Sequence, residues 1–480
     1  MTEPILEVDD LQTFFFTQDG VVRAVDGISF DVYEGEIMGL VGESGAGKSV
    51  ATASLLRLVE TPGEVVAGSI RFRAPETVET LAESFPDGVV DLSELRANHD
   101  LAALVERLRD QGVSLRELRR GYHTERRAAE ADPDPADDRD PEALIAEGAI
   151  TFEDLVTGGH LQRLGLADGE AFVVREEPGG YVELTRAPTE ALRRVRGAEI
   201  AMIFQDPMES LNPVFTVGSQ LREFVELNRG VSKRAAKRIA VDMLREVGIP
   251  DPESRYDEYP HQFSGGMRQR VLIAMALSCE PAVILADEPT TALDVTVEGQ
   301  ILDLVEDLQD RYDTSFVWVT HDMGVVAEVT DRVNVMYLGE IVEQATVDDL
   351  FYDTKHPYTE ALLQSIPRPD ETVEELNPIT GVMPEAINPP SGCRFHTRCP
   401  DAREVCRRIE PAYQDVSEPG EAAHHVACVK YEDVGYEDSG PLDTEATDAF
   451  GGGLVEARGG ESEGESDGAS GSRLGGEAGE

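Results

Sequence analysis

The chain has 480 residues, 41% of them hydrophobic, enough for two to three domains and a sizeable core. Its 94 acidic residues outnumber 42 basic ones for a formal charge of −52, a surface that repels nucleic acid and argues against a DNA-binding or DNA-repair role. No apolar run approaches the roughly 18 residues that span a bilayer, and Met-Thr-Glu-Pro is no signal peptide, so a cytosolic chain is expected.

In chain order, the first chemistry-bearing segment follows the apolar, strand-like stretch Glu36–Val41. It reads Gly42, Glu43, Ser44, Gly45, Ala46, Gly47, Lys48 and Ser49, and it leads through Val50 into a helical pattern that reaches Glu60. This is a phosphate-binding loop in the strand-to-helix setting it requires. Its glycines let backbone N–H groups turn inward onto phosphate oxygens, and the following helix adds its positive dipole end. Lys48 is expected on the β- and γ-phosphates of ATP, and Ser49 on Mg²⁺.

Residues 74–181 read as an acidic insertion. Leu101, Leu104, Val105 and Leu108 have helical spacing, Ala131–Pro141 is a proline-bearing acidic linker, and Phe172–Leu184 is a hairpin candidate around Pro178-Gly-Gly. Further on, Phe263-Ser-Gly-Gly-Met-Arg-Gln-Arg270 opens a helix and makes a second anion-binding terminus at Ser264, Gly265 and Gly266. The apolar run Ala282–Ala286 has the look of a strand buried on both faces and ends in Asp287-Glu288. Beside a phosphate loop, Asp287 is expected to hold Mg²⁺ through its water shell and Glu288 to polarise the water that attacks the γ-phosphate.

With these segments in this order, the chain resembles the ATP-binding-cassette ATPases, whose signature is LSGGQ. Phe263 and Met267 replace the outer residues of that signature, while its serine and both glycines are kept. The resemblance implies an α/β fold, a P-loop NTPase cassette with a RecA-like core, an antiparallel β subdomain and an α-helical signature subdomain. It also implies that Ser264–Gly266 close on ATP held by a second cassette, homologous or identical, and that Asp294 lies on the loop crossing that interface. Gln205 matches the loop glutamine that senses Mg²⁺ and contacts membrane subunits, and His321, after the expected strand Ser315–Thr320, matches the switch histidine that contacts the γ-phosphate. Phe15, with Phe16 as the alternative, falls where the family stacks an aromatic on adenine.

Lys355–Pro367, Gly392–Pro400 and Gln205–Pro213 are similar to the corresponding segments of oligopeptide and dipeptide import ATPases. That likeness implies an ATPase subunit peripheral to the cytoplasmic face of the membrane. Its implied partners are two membrane permease subunits and an extracellular solute-binding protein. Relatives also import sugars, glutathione or nickel chelates, and a non-transport ATPase is the remoter alternative. Acidity spread along the chain, with only five lysines, resembles the proteins of salt-accumulating halophiles and points to a haloarchaeon.

Cys393, Cys399, Cys406 and Cys428 cluster in the extension, with only Cys279 elsewhere. A reducing cytosol disfavours structural disulfides, and the spacing lacks the CxxC pairs of zinc ribbons. The segment looks like the iron–sulfur-binding extension of some dipeptide-import ATPases, which implies a 4Fe–4S cluster. Zinc and unligated thiols are the alternatives. The expected division is residues 1–73, an antiparallel nucleotide-binding subdomain that feeds the phosphate-loop helix, and 182–345 for the cassette, 346–435 for the extension, and 436–480 for a disordered acidic tail. A change at Cys399 is expected to leave nucleotide binding in place.

Overall fold

A computed structural model describes residues 3–120, 140–176, 179–206, 210–291, 293–365 and 381–442. Strand β1 (Leu6–Phe16) pairs antiparallel with β2 (Val21–Val32) on one side and β4 (Gly63–Phe72) on the other. β3 (Ile37–Val41), which lies between them in the chain, leaves this sheet. All five of its residues are buried, and a strand covered on both faces needs such an unbroken apolar run. Residues 1–73 therefore do not form one antiparallel unit: β3 is a central strand of the second sheet.

That second sheet has eight strands. β8 (Ile200–Ile203), β9 (Val283–Asp287), β10 (Ser315–Thr320), β3 and β11 (Arg332–Tyr337) run parallel in that spatial order. β12 (Glu340–Thr346) turns back antiparallel, and the extension adds β14 (His425–Ala427) and β13 (Tyr413–Asp415) at the edge. Parallel order places the carboxyl ends of β3, β9 and β10 side by side, where ligand crevices of open α/β sheets lie.

The inserted region enlarges the first sheet. β7 (Gly180–Glu183) pairs with β4, β6 (Val173–Arg175) with β7, and β5 (Val89–Asp91) with β6. β7 crosses the expected boundary at 181/182. It is pinned there because Glu183, fully buried, accepts hydrogen bonds from the Ile70 N–H at 3.0 Å and from the Ser69 hydroxyl. Short helices, including Leu92–Asn98 and Leu101–Asp110, close a separate core containing Leu104, Leu108, Leu118, Leu144, Leu155 and Val174. The linker residues 131–139 and the turn residues 177–178 lie outside the described residues.

Helices Val217–Arg229, Lys233–Glu246 and Gly265–Leu277 pack in another core with Trp318 and Ile284. In the extension, helix Pro357–Gln364 and three of the clustered cysteines, Cys393, Cys399 and Cys406, belong to a core shared with Val41, Val335 and Tyr337. Residues 436–442, assigned above to the tail, pack on it: Tyr436 is buried and donates its hydroxyl to the Asp401 carbonyl at 2.7 Å, and the Leu442 N–H donates to the Ala402 carbonyl. One large ring is enough to anchor this short segment. Residues 443–480 lie outside the described residues.

Candidate nucleotide site

The phosphate loop starts where β3 ends, and its helix runs from Lys48 to Leu55, shorter than the pattern reaching Glu60. Glycine is required at two of its positions. Gly47 has φ +109°, and a Cβ there would lie 2.1 Å from the Ala24 carbonyl oxygen. At Gly42, with φ +153°, the clash would be 2.2 Å from that of Met336. Only a side-chain-free residue lets the loop lie this close to β2 and β11.

Lys48 is buried, and its Nζ donates to the carbonyls of Gly42 at 2.8 Å and Glu43 at 3.1 Å. Burial pushes its ammonium below the ordinary value, against the pull of Glu288, Asp287 and Glu43. An ammonium held by its own loop is a preformed seat for an anion. The Ser49 hydroxyl donates to Asp287 Oδ1 at 2.9 Å, bringing together the two groups expected on Mg²⁺. Burial raises the Asp287 carboxyl, and the bond from Ser49 opposes that rise. An oxygen pair of this kind at a strand end suits a hard cation.

Glu288 sits just past β9 at φ +46°, a left-handed conformation costly for a residue with a Cβ. Its peptide N–H is fixed to the Val319 carbonyl on β10, and several side chains converge on its carboxylate. Gln205 Nε2 donates to Oε2 at 2.9 Å and the Thr291 hydroxyl at 3.0 Å. His321 Nδ1 lies 3.2 Å from Oε1, and Lys48 Nζ 3.9 Å from it. Thr291 was not singled out in the sequence; its place in the run after Asp287-Glu288 was the only signal. Gln205 and His321 are exposed, so this carboxylate faces an open site.

Ser264, Gly265, Gly266 and Asp294 form a second group. Ser264 caps helix Gly265–Leu277, accepting from the Met267 N–H at 3.3 Å, and Asp294 caps helix Val295–Tyr312, accepting from the Val297 N–H at 3.1 Å. A Cβ on Gly266 would come within 2.4 Å of Val297, so the two helix starts touch. Ala292 lies outside the described residues, as do Pro207, Met208 and Glu209 of the glutamine loop. Around that loop Phe204, Val214 and Phe215 are exposed, with Val214 at 70%. Phe15 is half-buried in β1, its ring beside Gly63 at the start of β4, and Phe16 is likewise half-buried.

Cys393, Cys399, Cys406 and Cys428 line one small cavity, and none forms a disulfide. Burial pushes the Cys393 thiol up to about 12 and that of Cys428 up to about 11, and lifts Cys399 well above its ordinary value. Thiols so placed ionise only against a strongly bound cation. Among the described residues, no three His, Cys, Asp or Glu side chains are arranged to hold one metal ion, and no helix is long and apolar enough to cross a membrane.

A nucleotide loop, an adjacent acid pair and a separate Ser-Gly-Gly helix start define a P-loop ATPase of the cassette type. Comparison with known proteins agrees: the ABC transporter family matches residues 25–168 and 172–291. The "Oligopeptide/dipeptide transporter, C-terminal region" family matches residues 342–406. The dipeptide transport ATP-binding protein DppD of Bacillus subtilis is 37% identical over 89% of this chain and 94% of its own length. The oligopeptide transport ATP-binding protein AppD of the same organism is 36% identical over 91% and 99%. A probable peptide ABC transporter ATP-binding protein of Sinorhizobium fredii is 38% identical over 90% and 96%. The chain belongs to the oligopeptide/dipeptide family of ATP-binding-cassette transporter ATPases, the ATP-hydrolysing subunits of transporters.

Proposed function

We propose that this chain energises import of di- or oligopeptides through two separate membrane permease subunits. It would sit peripherally on the cytoplasmic membrane face, in a complex to which an extracellular solute-binding protein delivers cargo. The single observation that carries the catalytic part is the convergence of Gln205, Thr291, His321 and Lys48 on the Glu288 carboxylate, next to the Ser49–Asp287 pair. In this reading the backbone N–H groups from Gly42 to Val50, with Lys48, bind the phosphates of ATP. Ser49, Gln205 and Asp287 hold Mg²⁺, which when bound neutralises phosphate charge. Glu288 takes a proton from the attacking water, and His321 orients the γ-phosphate end. Phe15 stacks on adenine.

Ser264, Gly265, Gly266 and Asp294 serve the nucleotide of a second cassette ATPase, so each site is completed across a dimer. Their position on helix starts that pack together, bonded to neither Lys48 nor Glu288, supports that assignment. Exposed Phe204, Val214 and Phe215 support docking of permease helix ends at the glutamine loop.

The division proposed for the chain keeps residues 74–181 as an insertion and 346–435 as the extension, with the strand and anchor adjustments described above. The four cysteines are read as ligands of a 4Fe–4S cluster, one thiolate to each iron. Their shared cavity supports this. The acidity is read as salt adaptation, because only ten of the 94 acidic residues follow Leu442.

The test is ATP hydrolysis by the assembled transporter in vesicles, with binding protein and each candidate solute. Stimulation by di- and oligopeptides is expected. Stimulation only by a sugar, glutathione or a nickel chelate would reassign the cargo, and hydrolysis indifferent to permeases and solutes would favour a non-transport ATPase.

A further inference from the structure

The extension reaches the phosphate loop directly. Arg398, buried between Phe395 and Cys399 in the chain, donates from Nη1 to Glu43 Oε2 at 2.7 Å and from Nη2 to Oε1 at 3.1 Å, a bidentate pair. The Tyr358 hydroxyl, on helix Pro357–Gln364, accepts the Glu43 N–H at 2.9 Å. Both side chains are themselves held. Tyr337, Tyr358 and Phe395 pack ring against ring at 4.7–5.3 Å, and the Arg398 guanidinium lies 5.8 Å from the Tyr337 ring centre.

We propose that Arg398 and Tyr358 are positioning residues for the nucleotide site, a clamp by which the extension sets the affinity of the phosphate loop for ATP. The proposal rests on the reading that this loop binds nucleotide, and it stands whatever the four cysteines hold. Glu43 is an anion in a loop built to receive anions. Its carbonyl accepts from Lys48, and its carboxylate bears on the charge of that lysine. Left unpaired, the carboxylate would repel a triphosphate and compete for Lys48. Arg398 neutralises it and draws it toward the extension, while Tyr358 fixes the peptide of the same residue. The clamp hangs on the cysteine-bearing loop, since the N–H groups of Arg398 and Cys399 both bond the Phe395 carbonyl at 3.0 Å. A change at the cysteines should therefore reach nucleotide affinity, contrary to the expectation that Cys399 could be altered with binding left in place.

The experiment titrates the full chain with a non-hydrolysable ATP analogue and Mg²⁺, with thermal melting followed on every variant. The parent chain should bind and Lys48→Ala should not; a parent that fails to bind defeats the nucleotide reading itself. Arg398→Gln should raise Kd on the order of tenfold, within the usual range of site-to-site coupling. Glu43→Gln should relieve most of that loss when added to Arg398→Gln, because the harm comes from the uncovered carboxylate, and Arg398→Lys should keep most of the affinity. Parent-like binding by Arg398→Gln overturns the clamp, and so does a double variant no better than Arg398→Gln alone. Should Arg398→Gln not fold, Tyr358→Phe removes only the hydroxyl acceptor and should raise Kd about threefold; an unchanged Kd there would overturn the proposal.

Discussion

The phosphate loop and the cysteine loop are two short turns with different interiors. Gly42–Ser49 is held by polar convergence: carbonyls on an ammonium, a hydroxyl on a carboxylate, and backbone packed where no side chain fits. Gly392–Pro400 encloses its thiols in apolar surroundings, with Phe395 against Tyr337 and Tyr358 and the thiols pushed toward their neutral form by burial, while its Arg394 and Arg398 reach outward to Asp26 and Glu43. A polar site left open must be preorganised to bind, whereas a closed apolar one is stable until something inside it changes charge. The Glu43–Arg398 pair joins the two, so the quiet region can act on the chemical one.

This contrast breaks most severely at Gly47. Gly47→Ala puts a methyl 2.1 Å from the Ala24 carbonyl oxygen and forces an alanine to φ +109°. Backbone strain alone should cost about 1–3 kcal/mol, and calorimetry should find nucleotide binding lost. Cys399→Ser sharpens the comparison from the other side. Protein purified without oxygen should contain roughly four iron and four acid-labile sulfide per chain, and this variant should lose both together with its brown colour. Stoichiometric zinc without sulfide would instead favour a tetrahedral thiolate site, and no metal would leave ordinary thiols.

Salt should act on both regions together, because the acidity is spread over the chain. Lowering KCl from molar to physiological levels lengthens the Debye screening from about 3 to about 8 Å, and the melting temperature should fall. Removing residues 443–480 should leave most of that dependence, and a melting temperature indifferent to salt would return the acidity to a property of the tail.

The extension side also carries a pH response. Burial lowers His356 to about 4, and its Nδ1 accepts the Tyr358 N–H at 3.0 Å, as a neutral ring can. The unfolded chain takes up a proton near 6.5 and the folded one does not. Stability is therefore lost as pH falls from 6.5 toward 4, by up to about 1.4 kcal/mol per pH unit. Hydrogen exchange should show the extension loosening before the phosphate loop, and His356→Asn should flatten the slope.

What could be read in advance divides along the same line. The phosphate loop, the strand ending at Asp287 and strand Ser315–Thr320 are local: glycines, a buried apolar run and the residue that follows it specify them within a dozen positions. The periodicity at Leu101, Leu104, Val105 and Leu108 likewise marks helix Leu101–Asp110, which buries the last three. The placement of β3 was misread because pairing partners are non-local. Ile37–Val41 meets strands nearly 300 residues away, and only its fully apolar character hinted at the move. The inserted region's addition to the first sheet depends on Arg71 and Phe72 finding Glu183 and Val182 across a hundred residues of intervening chain. Arg398 carried no signal at all as a partner of the phosphate loop. An arginine among cysteines reads as balancing charge for their ligand, and only the folded chain brings it to Glu43.

The central claim is that Glu288 activates water for ATP hydrolysis in a site completed by a second cassette. Glu288→Gln keeps the side chain's size and its contacts with Gln205 and Thr291 within reach while removing the base. In the assembled transporter this variant should bind ATP, lose turnover by at least about a hundredfold and remain trapped as a closed ATP-bound dimer. Near-normal turnover by Glu288→Gln would remove that carboxylate from the mechanism and contradict the account.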